Sequence, residues 1–424
     1  MHVLQIASGD FFSDYGGGQV YVRNLVDEMA NREKVQVSVL SFVNNNGLHK
    51  SIYNGCALFE TANLTDDMFA ALLRQIKPDI VHAHSHKAQV CRMGKALRIP
   101  VVVTAHHGGI LCPAGTLLNS NDHICRLPSD YRNCLRCVLR NTKTGLWWYP
   151  LMSLLPESLY VTLGRIFDHL PFIYFLTPIG TAALHIKEKQ DQWQTIVSDS
   201  SQIIAPSDAI KEAMIRNGLP SNRCIVIPHG IPLPTSVSPL PSFKDGIRFF
   251  YVGRISYVKG IHVMLAAFHK LSDSRLQLHI IGGSGNKVEH CYEKTLRHQY
   301  KNDARIIWHG KLPPSEVYGI IRNFHVAIAP SIFLEVFGLN IAEALAMGRP
   351  VIATRCGGAE MQVVNGVNGM LIPPNDVESL AVALESVSSC PDTISAMHVS
   401  NAVIPVSDHI DQLLTLYSSL ITYE

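Results

Sequence analysis

The chain has 424 residues, 47% of them hydrophobic and 17% charged, which suits a soluble globular protein and is too long for one ordinary core, so two domains are the default expectation. Lys and Arg number 36 against 34 Asp and Glu, a formal charge of only +2, and this excludes the electrostatic footprint of a nucleic-acid binder. The start, Met1-His-Val-Leu-Gln-Ile-Ala-Ser8, lacks the charged start, apolar run and cleavage site of an export signal, so a cytoplasmic location is expected and the ten cysteines read as thiols or metal ligands rather than a disulfide framework.

Short apolar runs bounded by turn residues predict strands at Val3–Ala7, Val35–Leu40, Asp79–Ala83, Pro100–Thr104, Gln202–Ala205 and Cys224–Ile227, with helix-like segments between most of them. Strands alternating with helices imply a parallel sheet covered on both faces. This is an N-terminal domain over 1–230, carrying an insertion at about 108–195. Residues 231–247 are rich in prolines, which continue neither a helix nor a central strand, and form the linker. A second series follows at Arg248–Val252, Leu276–Ile281, Arg305–Trp308, His325–Ala329, Pro350–Ala353 and Met370–Ile372, within a C-terminal domain over 248–400. Residues 401–424 are expected as a helix returning to the first domain. The fold class is therefore α/β, two tandem Rossmann-like doubly wound domains, and ligands of such sheets bind at the carboxyl ends of the strands, here in the cleft between the domains.

Several patterns in the first half carry chemistry. His82, His84 and His86 alternate at a strand end, share one face on that reading and could in principle ligate a metal, although no carboxylate ligand follows closely. Cys112, Cys125, Cys134 and Cys137 cluster in a polar, loop-like insertion, and the closing Cys-x2-Cys has the spacing of a zinc knuckle. They could hold a structural Zn²⁺ or sit as free thiols in a packed loop. Arg126, Arg132, Arg136, Arg140 and Lys143 stand beside Trp147-Trp148-Tyr149 and an apolar stretch to Ile179. That combination suits peripheral membrane contact over 126–179, and equally a buried helical insertion. The stretch is interrupted by Pro150, Glu157, Arg165, Asp168, His169 and Pro171, too often for a transmembrane helix.

The second half carries an anion-binding pattern. Phe250-Tyr-Val-Gly-Arg254-Ile-Ser-Tyr-Val-Lys259-Gly puts two cations between a strand end and a helix start, against the helix macrodipole. A bound diphosphate removes that conflict, held by both side chains and by free backbone N–H groups. Ile281-Gly282-Gly283-Ser-Gly-Asn286 is a Gly-rich strand exit where backbone can approach a ligand, or simply a tight turn. Glu335 and Glu343 lie eight residues apart around a helix expected from about Gly338. A carboxylate repels phosphate, so both suit sugar or ribose hydroxyls, while the N–H groups of Gly338, Leu339 and Asn340 suit the phosphates.

Arg254 and Lys259, the Gly-rich loop, His309-Gly310, and Glu335-x7-Glu343 followed by Ala-Met-Gly-Arg-Pro-Val-Ile-Ala-Thr resemble the donor domain of family 4 glycosyltransferases over roughly 248 to 385. The N-terminal half matches more loosely, through Tyr15-Gly16-Gly17-Gly18-Gln19 and Thr104-Ala-His106-His107. The resemblance implies a GT-B fold, sugar transfer from a nucleotide diphosphate sugar with retention of configuration, and no metal cofactor for catalysis. It implies that Arg254 and Lys259 neutralise the leaving diphosphate, Glu343 holds the ribose, Glu335 contacts the donor sugar and His106 lies close to that sugar. Gly17 and Gly18, with Gly282 and Gly283, would line the donor. Gln19 stands where many members carry Glu, which leaves that loop's role open.

The expected function is hexose transfer, from a UDP- or GDP-sugar, to a glycan or lipid-linked glycan acceptor. A noncatalytic sugar-nucleotide-binding protein of the same fold is the alternative. A nicotinamide-dependent oxidoreductase is disfavoured, because neither Gly-rich loop reads Gly-x-Gly-x-x-Gly with an acidic residue about 20 positions on.

Overall fold

The structure is a computed structural model that describes the whole chain except residues 8, 14–16, 44–46, 141–144, 155, 169–176, 398, 400–402 and 422–424. Tyr15, Gly16, Lys143, His169 and Pro171 of the sequence reading therefore lie outside the described residues. The chain forms two compact units, one of Met1–Phe11, Met29–Ile227 and Leu414–Glu424, the other of Phe12–Glu28 and Pro228–Leu413. Segment 12–28, which precedes most of the first unit in sequence, thus groups with the second.

The first unit holds an eight-stranded sheet in the order β3-β4-β2-β1-β5-β6-β7-β8. Its strands are β1 (His2–Ile6), β2 (Gln36–Phe42), β3 (His49–Tyr53), β4 (Cys56–Thr61), β5 (Ile80–Ala83), β6 (Val101–Thr104), β7 (Gln202–Ala205) and β8 (Cys224–Val226). All neighbours are parallel except β3 with β4. Val3, Leu4, Ile6, Val39, Leu40, Ile80 and Val102 are fully buried, as strands covered on both faces require. The hairpin of β3 and β4 is absent from the apolar-run reading, because β3 is exposed along nearly its whole length. Its turn, Asn54-Gly55 with φ of 46° and 78°, is nonetheless the strongest short hairpin signal a sequence can carry.

The helices of the N-terminal half are α1 (Gly17–Ala30), α2 (Asp66–Ile76), α3 (Lys87–Leu97), α4 (Tyr131–Arg140), α5 (Gly145–Met152), α6 (Glu157–Asp168), α7 (Thr177–Asp199) and α8 (Asp208–Arg216). The predicted insertion is helical and has its own core. Tyr131, Leu135 and Leu139 recur every fourth residue along α4 and pack with Met152, Ala182, Ala183 and Ile186. Arg132, Arg136 and Arg140 form the opposite, exposed stripe, the amphipathic pattern of a helix lying on a core. Cys134 and Cys137 are therefore helical, which corrects the loop-like reading of that segment.

The second unit holds six parallel strands in the order β11-β10-β9-β12-β13-β14. They are β9 (Arg248–Val252), β10 (Gln277–Ile281), β11 (Ile306–Gly310), β12 (Val326–Ala329), β13 (Val351–Thr354) and β14 (Gly369–Ile372), each within two residues of its sequence expectation at both ends. The helices are α9 (Ile261–His269), α10 (Lys287–Gln299), α11 (Pro314–Ile321), α12 (Leu339–Ala346), α13 (Gly358–Gln362), α14 (Val377–Ser389), α15 (Asp392–Ala396) and α16 (Val406–Leu420). Strand order reverses between β9 and β12 here and between β1 and β5 in the first unit. Loops leaving adjacent strands diverge at such switch points and open a crevice.

The linker is fixed to the second unit by Arg349. This fully buried guanidinium donates to the carbonyls of Ser238, Pro239 and Arg322 at 3.1, 3.2 and 3.0 Å. Among the described residues it meets no carboxylate, and burial lowers its pKa.

Candidate active site

The loops after β9 and β12 flank the switch point of the second unit, and they carry the predicted cations and carboxylates. After β9 the chain runs through Gly253 to Lys259 and enters α9 at Gly260, whose φ of +69° and an added Cβ only 1.9 Å from the Pro330 carbonyl oxygen admit glycine alone. That approach brings Lys259 to the β12 loop. Lys259 Nζ donates to both oxygens of Glu335, at 3.0 and 2.7 Å, and lies 5.3 Å from the centre of the Phe333 ring. Ser331 Oγ donates to the same carboxylate at 2.8 Å. Glu335 is itself anchored, its N–H donating to Cys356 O at 2.7 Å. Lys259 and Glu335, singled out separately in the sequence, thus form one hydrogen-bonded unit.

Gly338, with φ of +87°, turns the chain into α12 without any side-chain cap. The N–H groups of Leu339 and Asn340 have no preceding helical turn to bond, and no acceptor among the described residues takes them. The first turn of α12 also carries no acidic side chain, so its positive end is uncompensated. Gly17 belongs to the same unit, and a Cβ there would stand 2.8 Å from Leu339 Cδ1. Gly17 and Leu339 are therefore brought together, with Gly18 next to them in sequence.

Glu343 lies one helical turn further on. It is half-buried, and among the described residues no hydrogen-bond donor reaches its carboxylate. Burial raises its pKa to about 7, and Tyr318 on α11 is close enough to feel its charge. Glu335 and Glu343 therefore occupy different environments, one tied to a cation and a hydroxyl, the other desolvated and unpaired.

Arg254 points to the Gly-rich loop. Its guanidinium is half exposed and 3.5 Å from Glu289 Oε1. Glu289 and Glu293 on α10 accept from the N–H groups of Gly285 and Ser284 at 2.8 and 3.2 Å, so two amides of that loop are already engaged. Gly282 has a packing reason of its own, since its φ is +139° and a Cβ would lie 1.8 Å from Gly253 O. Its N–H donates to Gly310 O, while a Cβ at Gly283 would meet Lys311 Cβ at 3.8 Å, an ordinary contact. His309 bonds His279 at 2.9 Å.

His106 belongs to the first unit, at the carboxyl end of β6. Its Nε2 lies 2.8 Å from His84 Nδ1. The neighbouring His107 has a different task, because its Nδ1 accepts from Gly109 N at 3.0 Å and caps the short 3₁₀ turn at Gly108–Ile110. His82 bonds Tyr417 and Thr104, and its ring lies against that of His84 at 4.1 Å. His86 does not share their face. β5 ends at Ala83, and a φ of 46° turns His86 aside, where it stacks on Phe42 at 3.9 Å.

Burial raises the thiol pKa of Cys125, Cys134 and Cys137, and neighbouring cysteines of this group, Cys112 among them, add a smaller push in the same direction. All four are free thiols. Among the described residues no three His, Cys, Asp or Glu side chains are arranged to hold a metal ion, and this covers the four cysteines as well as the three histidines.

Residues 235–402 match the family model of glycosyl transferases group 1, and residues 15–124 match that of glycosyltransferase family 4, together about two thirds of the chain. The chain belongs to the family 4 glycosyltransferases. This family 4 chain is 32% identical over 145 residues to a glycogen synthase of Mycobacterium tuberculosis, covering 34% of each chain. It is 29% identical over 203 residues to a D-inositol 3-phosphate glycosyltransferase of Xylanimonas cellulosilytica, covering 42% of this chain and 48% of that one. The match thus spans about a third to a half of the length of these curated relatives. Among solved structures it resembles HepE of Anabaena in complex with UDP and glucose, with a TM-score of 0.66 and 16% identity over 98% of this chain and 99% of that one. It also resembles sucrose-phosphate synthase of Thermosynechococcus elongatus, with a TM-score of 0.69 and 19% identity over 99% of both chains. The fold is GT-B, with a parallel-sheet α/β domain in each half.

Proposed function

We propose that this family 4 glycosyltransferase transfers a hexose from a nucleotide diphosphate sugar to a glycan or lipid-linked glycan acceptor, with retention of configuration. The observation that carries the reading is the Lys259–Glu335 couple beside the uncapped N-terminus of α12. A diphosphate there meets an ammonium and a set of unbonded N–H groups, and the half-exposed Arg254 adds a second cation from the β9 loop. Negative charge builds on the diphosphate as the glycosidic bond breaks, so donors already in place lower the barrier without reorganising. Glu335 is suited to the donor sugar's hydroxyls and Glu343 to the ribose, both as acceptors. His106 is suited to the donor sugar's hydroxyls through its ring nitrogens. The complexes of HepE with UDP and UDP-glucose favour a UDP-sugar.

The test is a thermal-shift and calorimetric titration with UDP-, GDP-, ADP- and TDP-sugars, repeated with Lys259→Ala and Glu343→Ala. A ligand that binds only the folded state raises its apparent stability. One nucleotide should stabilise the wild type and neither variant; stabilisation of all three alike removes the donor-site assignment. Slow hydrolysis of the bound donor separates the enzyme from a noncatalytic binder.

A membrane-borne acceptor is favoured by exposed side chains of the helical insertion. Trp147 and Leu154 are 88% and 81% exposed, Leu127 and Ile166 are also exposed, and Arg126, Arg132 and Arg136 stand exposed in the same unit. Exposed aromatic and aliphatic groups beside cations suit an anionic lipid surface. No helix among the described residues is long and apolar enough to cross a membrane. Co-sedimentation with anionic liposomes at low salt is expected, and its absence removes the membrane reading.

A further inference from the structure

His84 has no part in the donor chemistry described so far, yet it is buried at the carboxyl end of β5 and held from every side. Its N–H donates to Ile6 O at 3.0 Å, and its carbonyl accepts from Lys87 Nζ. Its two ring nitrogens face Gln5 Oε1 at 2.7 Å and His106 Nε2 at 2.8 Å.

The hydrogen-bond inventory orders the protons along this line. The Gln5 amide nitrogen is turned to Met29 Sδ at 3.5 Å, which leaves the amide oxygen toward His84. An amide oxygen can only accept, so His84 Nε2 carries the hydrogen. A neutral imidazole protonated at Nε2 presents a lone pair at Nδ1, and the group facing that lone pair, His106 Nε2, must donate. Both rings are thereby fixed in the Nε2–H tautomer. The Gln5 carbonyl, two residues distant along a line of side chains, decides which nitrogen of His106 bears its proton.

We infer that His84 is a positioning residue that fixes the orientation and tautomer of His106, with Gln5 setting the polarity of the pair. The inference rests on the reading of His106 as the residue that meets the donor sugar. The element behind the pair is rigid. His82 lies against His84 at 4.1 Å and is itself held by Tyr417 and Thr104 at 2.5 and 2.6 Å, so neither strand end can rotate its histidine freely.

The test uses full-length protein with ¹⁵N-labelled histidine and the variants His84→Asn, His84→Phe and His106→Ala. An Asn carbonyl oxygen stands close to where Nδ1 of a histidine stands and restores the acceptor, whereas Phe removes it. Long-range ¹H–¹⁵N spectra should show wild-type His106 protonated at Nε2, the same state in His84→Asn, and a mixture of tautomers in His84→Phe. Turnover in UDP-glucose hydrolysis should fall by about tenfold to a hundredfold in His84→Phe with donor affinity unchanged, as loss of an orienting partner costs elsewhere, and should largely return in His84→Asn. A wild-type His106 protonated at Nδ1, or equal turnover and equal spectra in both His84 variants, overturns the inference. His106→Ala separates the two layers: full turnover in that variant defeats the role of His106 at the sugar, while the spectra still decide whether His84 sets its tautomer.

Discussion

Replacing Glu343 by Gln should stabilise the donor-free protein at alkaline pH while weakening its grip on nucleotide. Burial lifts the Glu343 carboxyl from 4.5 to about 7, so between those values the native state keeps a proton that the unfolded chain has released. Stability must then fall as pH rises from about 4.5, and the full cost is present above about 7. A shift of that size is worth at most about 3 kcal/mol at about 1.4 kcal/mol per pKa unit. Partial solvent access to the side chain reduces it to about 2 kcal/mol. For a unit of this size each kcal/mol moves the melting temperature by about 2–4 °C. Glu343→Gln should therefore melt about 4–8 °C above wild type at pH 8 and close to it at pH 5, measured by scanning fluorimetry without nucleotide. Parallel melting curves across that range would refute the argument, because they would mean that the carboxyl ionises without penalty.

The remaining predictions concern single contacts. Lys259→Ala should lower turnover by about 10²- to 10³-fold in a donor-hydrolysis assay, the range for losing one preorganised donor, and should abolish stabilisation by nucleotide diphosphates. Gly282→Ala forces a methyl to within 1.8 Å of the Gly253 carbonyl oxygen at a φ of +139°, and should cost about 2–4 kcal/mol in urea unfolding. Arg349→Met strands the carbonyls of Ser238, Pro239 and Arg322. It should destabilise by about 3 kcal/mol or more, read as a lower denaturation midpoint and faster proteolysis of the linker.

The parts of the site that were legible in the sequence are those whose physics is local. Alternation of apolar runs with helical segments gave every parallel strand except β4 to within a few residues, because a strand buried on both faces must be apolar throughout. The β3–β4 hairpin escaped that criterion, since β3 buries almost nothing; the Asn54-Gly55 turn was the signal that remained. Partnerships were hidden. Lys259 and Glu335 are 76 residues apart, and spacing could not show that the cation proposed for the diphosphate and the carboxylate proposed for the sugar form one ion pair. The amides engaged by Glu289 and Glu293 were equally invisible, and they leave the Gly-rich loop with less free N–H than its composition suggests. The alternation of His82, His84 and His86 misled because it assumed the strand continued past Ala83, whereas the backbone turns at His86.

Two carboxylates eight residues apart thus meet the problem of a buried negative charge in opposite ways, and the difference follows from what surrounds them. Glu335 faces a cation and a hydroxyl, so its charge is compensated on the spot, and Lys259 in turn is not left bare at the start of α9. Glu343 has neither, and burial answers by holding its proton to about pH 7. On the proposed reading a diphosphate arriving at Lys259 would compete with Glu335 for the ammonium and turn the Glu335 oxygens toward other donors, such as sugar hydroxyls. Ribose hydroxyls offered to Glu343 would supply the hydrogen bonds that it lacks. The donor would then complete both environments at once, and the two ends of one ligand would be bound cooperatively because each relieves a cost already present in the empty site.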